Sequence, residues 1–361
     1  HGSAGDCATI IAVCPALFSY EIILFGSVFA IMDSEKSGGI KMKLALLGTG
    51  MIVSEVLPVL RDMNGIELVA ILSTPRSIEK ARSLAAEYGL SQATSHYEDI
   101  LANPEVDTVY VGTPNHTHYD YAKQALLAGK HVICEKPFTL LAEELEDLVS
   151  IAGEKKLFLL EAITNQYLGN FHFIKENLDK LGDVKIVSCN YSQYSSRYDA
   201  FKRGEIAPAF NPEMGGGALR DLNIYNIHLV VGLFGQPQSV QYLANMERGI
   251  DTSGMLVMDY GTFKCVCIGA KDCAAEIKST IQGDKGSMSV FGSTGAMPAI
   301  NLQLNGQEVQ DLDLNGPHHR MHDEFVAFEE MISGQDYARA QAALDHSRAV
   351  MQVLDQAVKS M

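Results

Sequence analysis

From Lys43 onward, short apolar runs alternate with stretches of helical period, and this alternation limits the fold more than any other feature of the chain. "KLALLG" reads as a buried strand, and the residues after it carry Val56, Leu57 and Leu60 at helical spacing. "IELVAIL" is the next strand, and "SIEKARSLAAEYG" is a helix that Gly89 ends. "DTVYVGTP", "HVICEK" and "LFLLEA" follow as strands. Between them lie the helical stretches "HYDYAKQALLAGK" and "TLLAEELEDLVSIAGEKK", with Leu141, Leu145 and Leu148 on one face. Strands that alternate with helices pair in parallel through right-handed crossovers, which gives an α/β class and a doubly wound sheet over residues 42–162. Ligands of such sheets bind beyond the carboxyl ends of the strands.

The rhythm changes after Ala162. "VKIVSCNYS", "SVQYLANM", "GMLVMDY", "FKCVCIGA", "AEIKSTI" and "SMSVFG" are strands joined by short turns. Residues 163–361 are therefore expected to form a second, α+β domain with a large, mostly antiparallel open sheet. "DEFVAFEEMISG" and "AALDHSRAVMQVLDQAVKS" close the chain as helices, placed so that the last can pack back on the first domain. A length of 361 residues suits two domains. Residues 1–41 fit neither pattern. "CATIIAVCPALFSYEIILFGSVFAIM" is apolar enough to suggest a membrane span, but Pro15 and Glu21 interrupt it and no basic segment precedes it as in a secretory signal. His1-Gly2-Ser3 resembles a tag remnant and Met42 opens a conventional start, so this segment reads as a tag-derived or upstream extension outside the chemistry.

A formal net charge of −16 argues against a nucleic-acid partner, whose phosphates need a basic surface, and leaves small molecules as the expected ligands. No membrane partner is expected either. The seven cysteines include no CxxC pair, which points to reduced thiols in a cytoplasmic protein and to no metal site.

"GTGMIV" directly follows the first strand and opens a helix. Gly48 permits the tight turn, and Gly50, Met51 and Ile52 bring a dinucleotide pyrophosphate to the free amides of the helix start. Val53 stands where a third glycine would allow closer packing of helix on strand. The second strand ends in "LSTPRS", without the acidic residue that holds the ribose hydroxyls of NAD. Ser73, Thr74 and Arg76 suit a 2′-phosphate, so NADP is preferred over NAD. "GTPNHTHYD" places Thr113, Pro114, Asn115 and His118 at the same sheet edge, and "VICEKPFTL" adds Glu135 and Lys136. Pro137 restricts the backbone on both sides of its peptide bond and so fixes where the lysine side chain starts. Further along, "GGGALRDLNIYNIHLV" has three glycines that permit close approach. Asp221 and Tyr225 follow at a spacing of four, and His228 reads as structural.

"GTGMI", "TPNHTH", "GKHVICEKP", "EAITNQY" and "GGGALRDLNIY", in this order, resemble the glucose–fructose oxidoreductase / inositol dehydrogenase (Gfo/Idh/MocA) family from Met42 to Met361. The resemblance implies a Rossmann domain followed by an open-sheet domain often buried in a homodimer or homotetramer interface. It also implies that Lys136 lies beside the nicotinamide and contacts the substrate hydroxyl. Tyr225 is similar to the tyrosine of the branch containing glucose–fructose oxidoreductase and dihydrodiol dehydrogenase. Val53, Asn223 and "EAITNQYLGN" depart from the family pattern, the last at positions tied to substrate identity. The expected activity is NAD(P)-dependent hydride transfer to or from a sugar, polyol or related hydroxyl or carbonyl compound. In it Tyr225 moves the proton, Lys136 supplies the electrostatic partner and lowers the phenol pKa, and Asp221 orients substrate or lysine. The alternatives are a dinucleotide-binding sensor without turnover and an NAD-dependent glycosidase on the same fold.

Overall fold

The structure is a computed structural model that describes residues 41–361; all but the last residue of the 1–41 extension lies outside the described residues. The first sheet and its helices run β1 (Met42–Leu47), α1 (Met51–Arg61), β2 (Ile66–Leu72), α2 (Ile78–Tyr88), β3 (Gln92–Thr94), α3 (Tyr97–Leu101), β4 (Thr108–Val111), α4 (His118–Leu127), β5 (His131–Glu135), α5 (Ala142–Lys155) and β6 (Leu159–Ala162). All six strands are parallel, in the order β3-β2-β1-β4-β5-β6. The chain reverses direction across the sheet between β1 and β4, which opens a crevice at their carboxyl ends. Both strands are apolar at almost every position because helices cover both faces. The short β3 and α3 carry too few residues to show a period in the sequence. Leu141 does not join the face of Leu145 and Leu148. It is extended (φ −127, ψ 145), precedes the helix and is 43% exposed, while the Glu144 carboxylate accepts from its N–H.

The second sheet follows through α6 (Gly169–Glu176), β7 (Val184–Ser192), α7 (Tyr198–Lys202), α8 (Ile224–Phe234), β8 (Ser239–Glu247), β9 (Ile250–Asp259), β10 (Lys264–Ala270), β11 (Lys278–Gly283), β12 (Gly286–Phe291), β13 (Ala299–Leu304) and β14 (Gln310–Leu312). Its order is β14-β13-β12-β11-β7-β10-β9-β8. It is antiparallel except where β7 meets β10. That parallel pair lies at the centre of the sheet, where the segment holding α8 has to cross over. The chain ends with α9 (His322–Ser333) and α10 (Tyr337–Lys359). These two helices return to the first sheet: α9 packs on β1 and α1, and α10 packs on β6 and α5. Phe325, Phe328 and Met331 of α9 share one core with Leu44, Leu46, Tyr110 and Ile133 of the first sheet.

Candidate active site

At the carboxyl edge of β1 the backbone of Gly48 takes φ +109, which a side chain would strain, and a Cβ there would meet the Gly112 carbonyl at 2.7 Å. Gly50 caps α1 with no side-chain hydrogen bond and has nothing within 4 Å in the direction of a Cβ. That open space in front of free helical amides fits a phosphate. Val53, in the third-glycine position, is fully buried, and Gly112 makes room for it, since a Cβ at Gly112 would lie 2.8 Å from Val53 Cγ2. The small residue that close helix–strand packing requires has thus moved from the helix to the strand end.

A cavity of about 600 Å³ starts at this loop. Its Rossmann wall is made by Gly48 to Ile52, by Leu72, Ser73, Thr74 and Ser77, and by Gly112 to Asn115 with Tyr121. Arg197, Pro208, Ala209, Met214, Gly216 and Asp221 of the second domain face them. Asp221 is the only carboxylate in the lining among the described residues.

Arg76 is exposed in the turn before α2 and does not line this cavity. His118 does not face it either. Its ring is fully buried and bridges two loops, with Nδ1 2.9 Å from the Pro137 carbonyl and Nε2 2.9 Å from that of Thr113. As the first residue of α4, His118 points back beneath the loops it ties together, and burial holds its pKa below the ordinary value. Glu135 is also buried rather than open to a cofactor, accepting from Tyr110 Oη at 2.6 Å, and burial raises its pKa. Asn115 reaches the second domain, its Nδ2 donating to the Gly215 carbonyl at 2.9 Å.

The candidate catalytic groups Lys136 and Tyr225 do not line the cavity themselves, and Asp221, which does, joins them to it. Lys136 follows β5, and its peptide bond to Pro137 is cis. Its Nζ donates to the Asp221 carbonyl at 3.1 Å, lies 3.7 Å from Asp221 Oδ1 and sits 4.5 Å above the centre of the Tyr225 ring. Residues 219–223 wind as a π-helical turn leading into α8, so Asp221 and Tyr225 are not one regular α-turn apart as the spacing suggests. Both nonetheless meet Lys136, and such wide turns are frequent at functional sites. The three glycines serve protein packing: at Gly217 (φ +111) a Cβ would strike Asp251 Oδ1 at 2.0 Å. Asp251 in turn accepts from the Leu219 N–H at 2.7 Å and fixes the start of the turn.

Burial would push the Lys136 ammonium down in pKa, but Tyr225, Asp221 and Glu135 together outweigh it and hold it above its ordinary value. Burial also opposes ionisation of Asp221, yet Lys136 and Lys271 hold it below the usual carboxylate range. For Tyr225 the expected lowering is reversed. Burial raises the phenol and the pull of Lys136 only partly offsets it, so the hydroxyl keeps its proton. Lys271, which the sequence did not suggest, is 2% exposed at the end of β10. Its Nζ donates to Asp221 Oδ2 at 2.7 Å and to the Ala209 carbonyl at 2.6 Å, above the ring of Phe210. Arg320 is a second cation that sequence patterns did not identify, paired with Glu55 at 2.7 Å and close enough to Tyr225 to lower the phenol. His228 is turned away, its Nδ1 2.9 Å from His346 Nε2.

Residues 42–162 match the family described as "Oxidoreductase family, NAD-binding Rossmann fold", and residues 174–289 match the Gfo/Idh/MocA C-terminal domain. Among curated proteins, the chain is 30% identical over 323 residues to scyllo-inositol 2-dehydrogenase (NADP(+)) of Bacillus subtilis (strain 168), covering 89% of this chain and 97% of that one. It is 26% identical over 272 residues to trans-1,2-dihydrobenzene-1,2-diol dehydrogenase of Xenopus tropicalis, covering 74% and 79%. A 3-ketoreductase from Actinomadura kijaniata, solved with NADP and TDP-benzene, shares the fold with a TM-score of 0.78 at 20% identity over 89% and 98% of the two chains.

Proposed function

The chain belongs to the Gfo/Idh/MocA oxidoreductase family, and from that premise we propose that it is an NADP(H)-dependent dehydrogenase or reductase of a sugar, polyol or related hydroxyl or carbonyl compound. The observation that carries this reading is the meeting of Lys136 and Tyr225 with Asp221, which itself lines the cavity of about 600 Å³ that starts at the glycine loop. Gly48 to Ile52 would hold the pyrophosphate, and Ser73, Thr74 and Ser77 the adenosine ribose. The absence of a carboxylate from that ribose end of the lining favours a 2′-phosphate, as does the NADP(+) dependence named for the Bacillus relative.

The nicotinamide, when bound, supplies or accepts the hydride. The protein's part is to place the substrate oxygen where the Lys136 ammonium stabilises negative charge as it develops. Tyr225, neutral in the resting site, donates its proton to that oxygen during reduction and recovers it during oxidation. Asp221 holds Lys136 on one side and is held by Lys271 on the other, so the ammonium is oriented before substrate arrives. A cytoplasmic setting agrees with the free thiols of Cys134, Cys189, Cys265, Cys267 and Cys273. A homodimer through the second sheet agrees with the exposed pair Leu243 and Met255, which the half-buried Ile268 continues across the next strand. The decisive experiment follows nicotinamide absorbance with a panel of inositols, sugars and diols and their ketones, using both NADP(H) and NAD(H). Turnover with none of them, in either direction, would overturn the reading.

A further inference from the structure

Arg197, in the second domain between β7 and α7, lines the cleft opposite the nucleotide loop. Its Nη2 lies 3.6 Å from Sδ of Met51, the first residue of α1, and this is the only side-chain hydrogen bond of its guanidinium among the described residues. A thioether is a weak acceptor for a group with five donors. The acids of the same segment are occupied elsewhere. Asp199 pairs with Lys202 at 2.7 Å and accepts from Tyr194 at 2.8 Å, and Glu205 pairs with Arg203 at 3.4 Å. Met51 itself is 75% exposed, an unusual state for a methionine at the start of a core-packed helix. On the other side of Met51, the α1 amides have neither a side-chain cap nor an acidic residue in the first turn, and the space before Gly50 is open. A guanidinium and a set of free helical amides therefore face one gap from opposite domains.

We propose that Arg197 is a clamp from the second domain that closes on the pyrophosphate of the dinucleotide, a proposal that rests on the cofactor reading above. A guanidinium donates two parallel N–H groups to phosphate oxygens, and the α1 amides hold the opposite side. The clamp recognises the bridge common to NAD(H) and NADP(H), so it adds affinity without selecting between them. Selection belongs to the Ser73–Ser77 end.

Titration calorimetry of wild type, R197M and R197K with NADPH, NADH and reduced nicotinamide mononucleotide, which lacks the pyrophosphate, tests this. R197M should weaken NADPH and NADH by the same factor, roughly tenfold to a hundredfold for a lost charged hydrogen bond to an anion. The mononucleotide should bind wild type and R197M alike, and R197K should recover part of the loss. Unchanged dinucleotide affinity in R197M would overturn the clamp alone, and a loss confined to NADPH would move Arg197 to the 2′-phosphate and overturn it too. A wild type that binds neither dinucleotide would sink the cofactor reading and this proposal together.

Discussion

The two ends of the cleft are built on opposite physical plans. At the inner end, Lys136 has a side chain 14% exposed and Lys271 one 3% exposed, and both are held by Asp221. At the outer end, Thr74 and Arg76 are exposed, and Thr74 Oγ1 satisfies itself locally on Ser77 Oγ at 2.9 Å. Buried charges must be paired in the protein before any ligand arrives, because an unpaired one would cost several kcal/mol. Exposed groups can wait in water and be organised by the ligand. The inner end is therefore rigid and suited to transition-state stabilisation, and the outer end is adaptable and suited to recognition.

The largest effect should come from removing the ammonium. Lys136→Met keeps the stem of the side chain and should lower turnover by about 10²–10⁴-fold, with cofactor affinity within a few-fold of wild type. Steady-state rates and a cofactor titration on one preparation check both halves. A near-normal kcat would break the contrast, since the inner end would then be merely structural.

Next comes Tyr225→Phe, which keeps the ring under Lys136 and deletes the hydroxyl; turnover should fall by about 10²-fold. Because burial holds the free-protein phenol above its ordinary value, wild-type reduction should lose rate only at pH above the ordinary phenol range. The variant should lose that alkaline limb. A limb at neutral pH that survives in Tyr225→Phe would assign the proton to another group.

How much of this was legible in the sequence divides along the same line. The order of elements in the first sheet, the glycine turn and the Lys-Pro after β5 could be read because each is a local pattern whose physics acts within a few residues. Lys271 could not, since only the register of β10 on β7 and β9 places it beneath Asp221. Arg197 and Arg320 were hidden for the same reason, each reaching its partner across more than a hundred residues. Sequence position places His118 and Glu135 with the cofactor because strand ends in such folds face ligands, whereas both side chains turn inward to brace the loops. Sequence alone predicts a lowered phenol because it shows the neighbouring lysine but not the depth of burial that outweighs it.

Lys271→Met tests whether the inner end depends on its second cation. Asp221 would keep Lys136 but lose a 2.7 Å partner, and the Ala209 carbonyl would lose its donor. Turnover should drop about tenfold through loss of orientation, with a destabilisation of about 1–3 kcal/mol from the unpaired groups. The sign of the pH effect is fixed. Asp221 is held below its ordinary pKa, so its contribution is present above the unfolded value and is lost as pH falls through the folded one. With one cation gone the folded pKa rises, and the acid limb of stability should move to higher pH in a thermal-melt series. An unmoved limb would show that Lys136 alone holds the carboxylate.

The smallest effect belongs to the outer end and tests the comparison most sharply. Arg76 is exposed and outside the cavity lining, so its removal should leave the packing of the free protein undisturbed. If the ligand organises this end, the 2′-phosphate draws the guanidinium in, and Arg76→Ala should raise the KM for NADP(H) a few-fold to about tenfold. An exposed pair is screened by water and salt, which keeps the expected loss below that of a buried one. Melting temperature, kcat and the KM for NAD(H) should stay at wild-type values, since no other contact depends on the side chain. Higher ionic strength should shrink the NADP(H) difference while leaving Lys136→Met as severe as before, because the inner charges are shielded from solvent. Equal losses for both cofactors would place the selection for phosphate on the hydroxyls of Ser73, Thr74 and Ser77 alone.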